Sequence, residues 1–184
     1  ALSAVINWAK TPIPGLAWAT SAPTFAPLGI SGGHFAVFPC ISSANKDEIL
    51  SAGTTHVVTL LDSANTKEVN RIKTVKSLIA GGPKWYHIDV GSNVPEIQEK
   101  AKAMALGVEW AHEAVKSGGV VLIHCIAGRH RSGTFAASLC ASFGLSRQDT
   151  MLRLHATRPA CLRDIGRGRM DLAYGCIQDL VTPH

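Results

Sequence analysis

A cysteine and an arginine separated by five residues are the side chains of this sequence best suited to catalysis. Cys125 follows the largely apolar run 120–124, and Arg131 stands at the start of a helical stretch. This order predicts a buried strand, a tight loop and a helix N-terminus, whose backbone N–H groups bind an anion. An arginine can bind two oxygens of one phosphate, and the same positive potential favours a nucleophilic thiolate. The stretch therefore predicts hydrolysis of a phosphate ester through a covalent cysteinyl-phosphate.

Each of the other residues in this loop has a predicted role. The Ser132 hydroxyl can hydrogen-bond the thiolate and help it leave, Gly128 permits the tight turn, and His124 orients the loop. An inert buried thiol is one alternative, and a metal site from His124, Cys125 and His130 is another. Because no paired ligand spacing supports a metal, we predict neither metal nor cofactor. The predicted phosphate-binding residues are Ile126, Ala127, Gly128, Arg129, His130 and Arg131.

The segments around this loop predict how it is positioned. Apolar, β-branched segments alternate with segments of helical periodicity, which is typical of an α/β domain. We expect strands at 34–38, 54–61, 85–90 and before Cys125, and helices at 45–52, 69–79, 97–115, 134–143, 146–157 and 169–180. The predicted fold class is α/β, a single domain with a central, mainly parallel sheet flanked by helices.

The N-terminal part of the chain differs from the rest in composition. Residues 1–33 are rich in proline and glycine, which makes a long regular element unfavourable there. We predict an extended arm packed on the domain through Trp8 and Trp18, with a partner-binding segment as the alternative. Residues 34–184 form the predicted catalytic domain.

Composition limits the classes of protein to which this chain can belong. The 184 residues are 46% hydrophobic and 17% charged, which favours a compact domain over a disordered chain. The net charge is +5, but the sequence has no basic stripe with interleaved aromatic residues, so we do not predict nucleic-acid binding. No run of apolar residues is long enough to span a membrane. Five scattered cysteines favour a reducing compartment. We expect a cytoplasmic monomer, with a disulfide between Cys125 and one of the other cysteines, such as Cys40, as an alternative state.

The loop motif resembles the signature of a known enzyme superfamily. His124-Cys125-x5-Arg131-Ser132-Gly133 is similar to that of the cysteine-dependent protein tyrosine phosphatases, and the small size suggests an atypical dual-specificity phosphatase. The same superfamily is resembled by segments 45–58 and 85–90 and by the pair Arg158–Pro159, so the resemblance covers about residues 34–181. It implies phosphatase activity on phosphotyrosine and phosphoserine/threonine proteins. It also implies a general acid on a loop before the cysteine.

The expected position of that general acid holds no carboxylate in this sequence. Where the family carries an aspartate, this chain has Ser92 or Asn93. Asp89, three residues earlier, is our predicted catalytic acid. Asp62 at the end of the preceding strand, Glu96 in the next helical turn, or no acid at all remain alternatives.

The residues between Cys125 and Arg131 leave a second class of substrate open. The stretch 128–133, which includes Arg129 and His130, looks like the loop of plant and fungal atypical phosphatases that cleave inositol pyrophosphates. The expected partner is a phosphorylated protein, and a polyphosphorylated small molecule, an inositol polyphosphate or a phosphoinositide, is the alternative. A pseudophosphatase that binds phosphate without turnover is a further one.

Overall fold

The computed structural model describes residues 25–162 and 165–183, and their centre is a five-stranded sheet. The strand order is β1-β2-β5-β3-β4. The β1–β2 pair is antiparallel and the other pairs are parallel, which confirms the predicted mainly parallel α/β fold. The strands are β1 (Leu28–Ile30), β2 (Gly33–Phe38), β3 (His56–Leu60), β4 (Lys84–Ile88) and β5 (Val120–His124).

Helices cover both faces of the sheet. On one face lie α1 (Lys46–Ser51) and α2 (Thr66–Leu78). On the other lie α3 (Val94–Glu99), α4 (Ala101–Lys116), α5 (Arg131–Ser142) and α6 (Arg147–Thr157). The expected C-terminal helix at 169–180 is instead wound in π-helical turns, Ile165–Arg169 and Leu172–Ile177, followed by the 3₁₀ turn Gln178–Leu180.

Strand β5 is buried on both of its faces, which is why its residues 120–123 are all apolar. Val121 and Ile123 pack in the core under α4 and α5, whereas Leu122 packs in the core under α1 and α2. Parallel strands covered by helices on both faces need apolar residues at every position. The chain therefore delivers Cys125 from a fixed central strand to the carboxyl edge of the sheet, where ligands bind in open α/β folds.

The last part of the predicted N-terminal arm belongs to the central sheet. Leu28–Ile30, within the predicted arm, is strand β1 and pairs with β2 across the tight turn Ser31–Gly32. Both turn residues have positive φ, and the side chain of Ile30 is buried. The high proline content of residues 1–33 predicted an extended segment, so the short hairpin was not expected. The predicted packing of Trp8 and Trp18 lies outside the described residues.

Candidate active site

The loop between β5 and α5 turns tightly against strand β2, and Gly128 makes the turn. Gly128 has φ +65°, a backbone conformation that other residues rarely adopt. A Cβ atom there would lie 2.7 Å from the backbone carbon and oxygen of Phe38. The predicted need for glycine at this position thus has two causes, the positive φ and the close approach of Phe38.

The carbonyl groups of the loop point toward donors outside it. The Arg158 guanidinium donates to the oxygen of Ala127 (2.8 Å) and, more weakly, to that of Gly128 (3.4 Å). The N–H of Cys40 donates to the oxygen of Ile126 (2.9 Å). With the carbonyls held outward, the N–H groups of Arg129 and Ser132 can reach the sulfur of Cys125, and both stabilise its thiolate. In the sequence, Arg158 was noted only because the pair Arg158–Pro159 resembles the phosphatase superfamily. Nothing there predicted that it binds the loop carbonyls.

The thiol of Cys125 is set apart from the other buried thiols by its surroundings. Burial alone raises the pKa of a thiol, and it brings that of Cys140 to about 12. Cys125 is 3% exposed, but its pKa is nevertheless lowered. Hydrogen bonds from the hydroxyl and N–H of Ser132, the charge of Arg131 and the Arg129 N–H outweigh the desolvation. The Cys125 sulfur lies 3.3 Å from the Ser132 hydroxyl oxygen.

Replacing Ser132 by alanine tests this description of the thiolate. We expect Ser132→Ala to raise the pKa of Cys125, so the acidic limb of the pH–rate profile moves to higher pH. A hydrogen bond to a charged group contributes about 1.5–3 kcal/mol, so turnover falls roughly 10- to 100-fold. The measurement is the pH dependence of kcat/KM for an aryl phosphate. Ser138→Ala, at a buried serine of the same helix, is the control and leaves the profile in place.

The guanidinium of Arg131 is buried and held on one side by a carboxylate. Its Nη1 donates to Glu68 Oε1 (2.6 Å) and to the carbonyl of Val90 (3.0 Å), and its Nη2 lies 3.4 Å from Glu68 Oε2. Within the described part of the chain, Nε of Arg131 has no hydrogen-bond partner although it is buried. This N–H is the donor available to a phosphate oxygen. No pattern in the sequence indicated Glu68.

The imidazole of His124 is fixed in one tautomer by a chain of hydrogen bonds. The carbonyl of Cys125 can only accept, so His124 Nδ1 carries the hydrogen and Nε2 accepts from the Thr59 O–H (2.7 Å). The Thr59 oxygen in turn accepts from Trp85 Nε1 (2.8 Å). His124 Nδ1–H then donates to the carbonyl of Cys125 (3.0 Å). Burial lowers the pKa of His124 to about 4, so the ring is neutral at physiological pH. These contacts support the predicted orienting role of His124.

Removing the middle member of this chain has a predictable cost. We expect Thr59→Val to leave Trp85 Nε1 and His124 Nε2 without partners, and each unsatisfied buried group costs about 1–3 kcal/mol. The urea midpoint of unfolding therefore falls, and turnover falls with it because the loop loses its fixed imidazole. Thr74→Val, on the exposed face of α2, is the matched control and leaves the midpoint unchanged. An unchanged midpoint in Thr59→Val would contradict the described network.

Asp89, the predicted catalytic acid, is engaged by the loop after β3. Its two oxygens accept hydrogen bonds from the N–H of Ser63 (2.7 Å) and the hydroxyl of Ser63 (2.5 Å). These two hydrogen bonds, and chiefly the one from the hydroxyl, hold the pKa of the Asp89 carboxyl below its usual range. A general acid must carry a proton at the working pH, and these contacts favour the ionised form. The catalytic role of Asp89 stays a prediction, and the hydrogen bonds from Ser63 make proton donation by this carboxyl less favourable.

The two alternative carboxylates also make local contacts. Asp62 follows β3, the strand beside β5, and its Oδ1 accepts from the Ala64 N–H (2.9 Å). Glu96 forms a capping box with Asn93 at the start of α3. Of these carboxylates, only Asp62 is linked to the loop arginine, because its N–H donates to Glu68 Oε1 (2.8 Å).

Basic side chains surround the loop. Arg129 and His130 are half-buried within it. Arg71 of α2 is exposed, and its guanidinium lies beside the sulfur of Cys40, the residue that binds the Ile126 carbonyl. All five cysteines are free, so the alternative disulfide with Cys40 is not formed in this structure. No metal-binding cluster and no membrane-spanning helix occur among residues 25–162 and 165–183.

Most of the chain matches a family of known phosphatase domains. Residues 32–169 match the profile of the PTP-SAK family, described as the Swiss Army Knife protein DSP-PTPase phosphatase domain. No curated protein matches the chain significantly. Among solved structures, DUSP15 is similar (20% identity, 82% of this chain and 88% of that one, TM-score 0.54).

Two further structures are similar to about the same degree. A mutant form of Tk-PTP shares 22% identity over 84% of this chain and 95% of that one, with a TM-score of 0.54. PTPMT1 in complex with PI(5)P shares 15% identity over 84% and 96%, with a TM-score of 0.56. Identities this low indicate a shared fold and leave the substrate open.

Proposed function

The chain belongs to the DSP-PTPase phosphatase domains of the Swiss Army Knife protein family, and from this premise we propose that it hydrolyses phosphate monoesters on proteins. The substrates are phosphotyrosine and phosphoserine/threonine side chains, and the intermediate is a cysteinyl-phosphate. The observation that carries the proposal is the buried Cys125 thiol, whose pKa is lowered by Ser132 and Arg131 inside an anion-binding loop. The test is whether hydrolysis of an aryl phosphate depends on Cys125.

In the first step the Cys125 thiolate attacks phosphorus. The S–P bond forms as the ester P–O bond breaks, and the leaving oxygen takes the bonding electrons. The inward N–H groups of the loop and the Nε–H of Arg131 bind the equatorial oxygens. Such transfer depends mainly on positioning and electrostatic stabilisation, which a preformed loop provides.

In the second step water attacks the phosphorus of the intermediate. The new P–O bond forms as the S–P bond breaks, and inorganic phosphate leaves while the sulfur becomes a thiolate again. The Ser132 hydroxyl, 3.3 Å from the sulfur, donates to this departing thiolate. Ser132 therefore assists both steps by stabilising the same ionised sulfur.

Because Ser63 holds Asp89 as a carboxylate, we expect the rate of hydrolysis to depend strongly on the pKa of the leaving group. Phosphotyrosine, whose phenol has a pKa of about 10, is then hydrolysed faster than the alkyl esters of serine and threonine. Since a general acid contributes roughly 10²–10⁴-fold, we expect a difference of about a hundredfold or more between them. A series of aryl phosphates measures this as a steep fall of kcat/KM with leaving-group pKa.

Asparagine variants decide which carboxylate, if any, donates a proton. We expect Asp89→Asn to change neither kcat/KM nor the slope of that series by more than roughly twofold, because Asp89 is held ionised. Asp62→Asn and Glu96→Gln are measured beside it. A variant with a steeper slope identifies the proton donor and contradicts the expectation of unassisted leaving groups.

A polyphosphorylated small molecule is the second candidate substrate, favoured by the basic residues around the loop. The guanidinium groups of Arg129 and Arg71 add positive charge beyond Arg131, and additional phosphate groups would meet this charge. PTPMT1, of similar fold, has been crystallised with PI(5)P. Turnover of an inositol pyrophosphate and of phosphopeptides is compared in the wild type and in Arg129→Ala. A loss confined to the inositol substrate supports this candidate, and an equal effect on both rejects it.

A further inference from the structure

The exposed surface of α2 carries positive charge and no negative charge. The acidic residue of this helix, Glu68, is buried and paired with Arg131. Four basic side chains are exposed and define what we name the α2 basic face: Lys67, Arg71, Lys73 and Lys76. Within residues 25–162 and 165–183, none of these four forms an ion pair with a carboxylate.

This distribution of charge is unfavourable for the helix itself. Lys67 and Arg71 are four positions apart and Lys73 and Lys76 are three apart, and like charges at these spacings repel. Lys67 also lies in the first turn, where the helix dipole favours an anion. An acidic ligand on the α2 basic face would relieve both effects.

The α2 basic face begins beside the catalytic loop and leads away from it. Glu68, in the first turn of α2, contacts Arg131. Arg71, one turn further, lies beside the sulfur of Cys40, whose N–H binds the loop backbone. With a rise of 1.5 Å per residue, Lys76 is about 12 Å from Glu68 along the helix axis. The charges therefore form a row that starts at the site of the phosphoryl group.

The length of this row fits an extended polypeptide. An extended chain advances about 3.3 Å per residue, so about four residues span the 12 Å. Arg71, Lys73 and Lys76 are spread over this length, so one ligand that meets all three is a chain rather than a compact small molecule. The row thus fits residues that flank a phosphorylated side chain bound in the loop.

The α2 basic face has no apolar companion that would suit a lipid surface. In the part of the chain that the structure describes, the large apolar side chains that are exposed lie in α4, in α6 and in the C-terminal segment: Leu106, Leu152 and Leu180. Helices that bind membranes combine basic residues with an exposed apolar stripe. The charge on α2 therefore favours an acidic polypeptide over an anionic membrane.

We propose that the α2 basic face is a docking surface for an acidic segment of the phosphoprotein substrate. The proposal rests on the proposed function, because it specifies which phosphoproteins are preferred. Charges on a surface raise the rate of association more than they change the chemical step, so the preference acts on kcat/KM. Salt screens exposed charges, so the preference decreases as the ionic strength rises.

The test compares two phosphotyrosine peptides of equal length. One has runs of aspartate and glutamate on both sides of the phosphotyrosine, and the other has asparagine and glutamine in their place. We expect Lys73→Gln/Lys76→Gln to lower the ratio of kcat/KM, acidic over neutral peptide, roughly 3- to 30-fold at low ionic strength. Lys102→Gln/Lys116→Gln, at two exposed lysines of α4, removes the same charge from the opposite face and keeps the ratio.

The outcomes separate this proposal from the proposed function. An unchanged ratio in Lys73→Gln/Lys76→Gln overturns the docking surface while the phosphatase stands, and so does an equal fall in the α4 variant. If the wild type has no turnover, fluorescence anisotropy of a labelled acidic peptide without phosphate decides. We expect binding that the α2 substitutions weaken and the α4 substitutions do not. No binding, or an α2 variant that loses only its affinity for phosphatidylserine vesicles, overturns the proposal.

Discussion

Cys125→Ser is expected to abolish phosphate ester hydrolysis, by a factor on the order of 10⁴ or more. A serine hydroxyl keeps its proton at neutral pH, and the donors that lower the pKa of the Cys125 thiol cannot make it an equivalent nucleophile. The hydroxyl still fits the loop, because it is smaller than the thiol and can hydrogen-bond Ser132. The measurement is release of p-nitrophenol from p-nitrophenyl phosphate by wild type and variant.

Binding data turn this experiment into a choice between an enzyme and a phosphate-binding protein. We expect Cys125→Ser to bind inorganic phosphate about as tightly as the wild type, because the loop N–H groups and Arg131 are unchanged. Cys176→Ser, at a half-buried thiol of the C-terminal segment, is the control and keeps full activity. If the wild type binds phosphate but releases no p-nitrophenol, the chain is a pseudophosphatase and the catalytic proposal is wrong.

The parts of this molecule that were predictable from sequence depend on local patterns. The apolar run 120–123, the glycine-containing loop and the helix after it lie next to one another in the chain, so their order determined the strand, the loop and α5. The capping box of Asn93 and Glu96 is equally local. The hairpin at Ser31–Gly32 was missed because its short strand gave too weak a periodic signal beside the prolines.

The parts that were not predictable depend on contacts between distant segments. Glu68 reaches Arg131 across 63 positions of sequence, and Thr59 reaches His124 across 65. A glutamate in an amphipathic helix is ordinarily a solvent-exposed residue, and nothing in its neighbours distinguishes Glu68 from one. The pairing becomes visible only when β3 is placed beside β5, which brings the start of α2 to the loop. The hydrogen bonds from Ser63 to Asp89 were hidden for the same reason.

Arg131→Lys is expected to reduce kcat/KM by roughly 10³-fold while the charge at this position is retained. A lysine ammonium is a point donor and cannot present two parallel N–H groups to two phosphate oxygens. In the arginine, Nη1 donates to Glu68 and to the Val90 carbonyl, while Nε is left for the phosphate. The single nitrogen of lysine cannot occupy both of these positions. The measurement is kcat/KM for an aryl phosphate, with the urea midpoint taken on the same samples.

A matched substitution shows whether this loss comes from the fork geometry or from arginine chemistry in general. Arg147→Lys alters an arginine that pairs with Asp171 at the surface and lies over the Tyr174 ring, and exposed pairs contribute only about 0–1 kcal/mol. We expect it to leave activity unchanged. Arg131→Lys that keeps more than roughly a tenth of the wild-type kcat/KM would show that positive charge alone suffices. In that case the fixed position of the guanidinium against Glu68 and the Val90 carbonyl is irrelevant to catalysis.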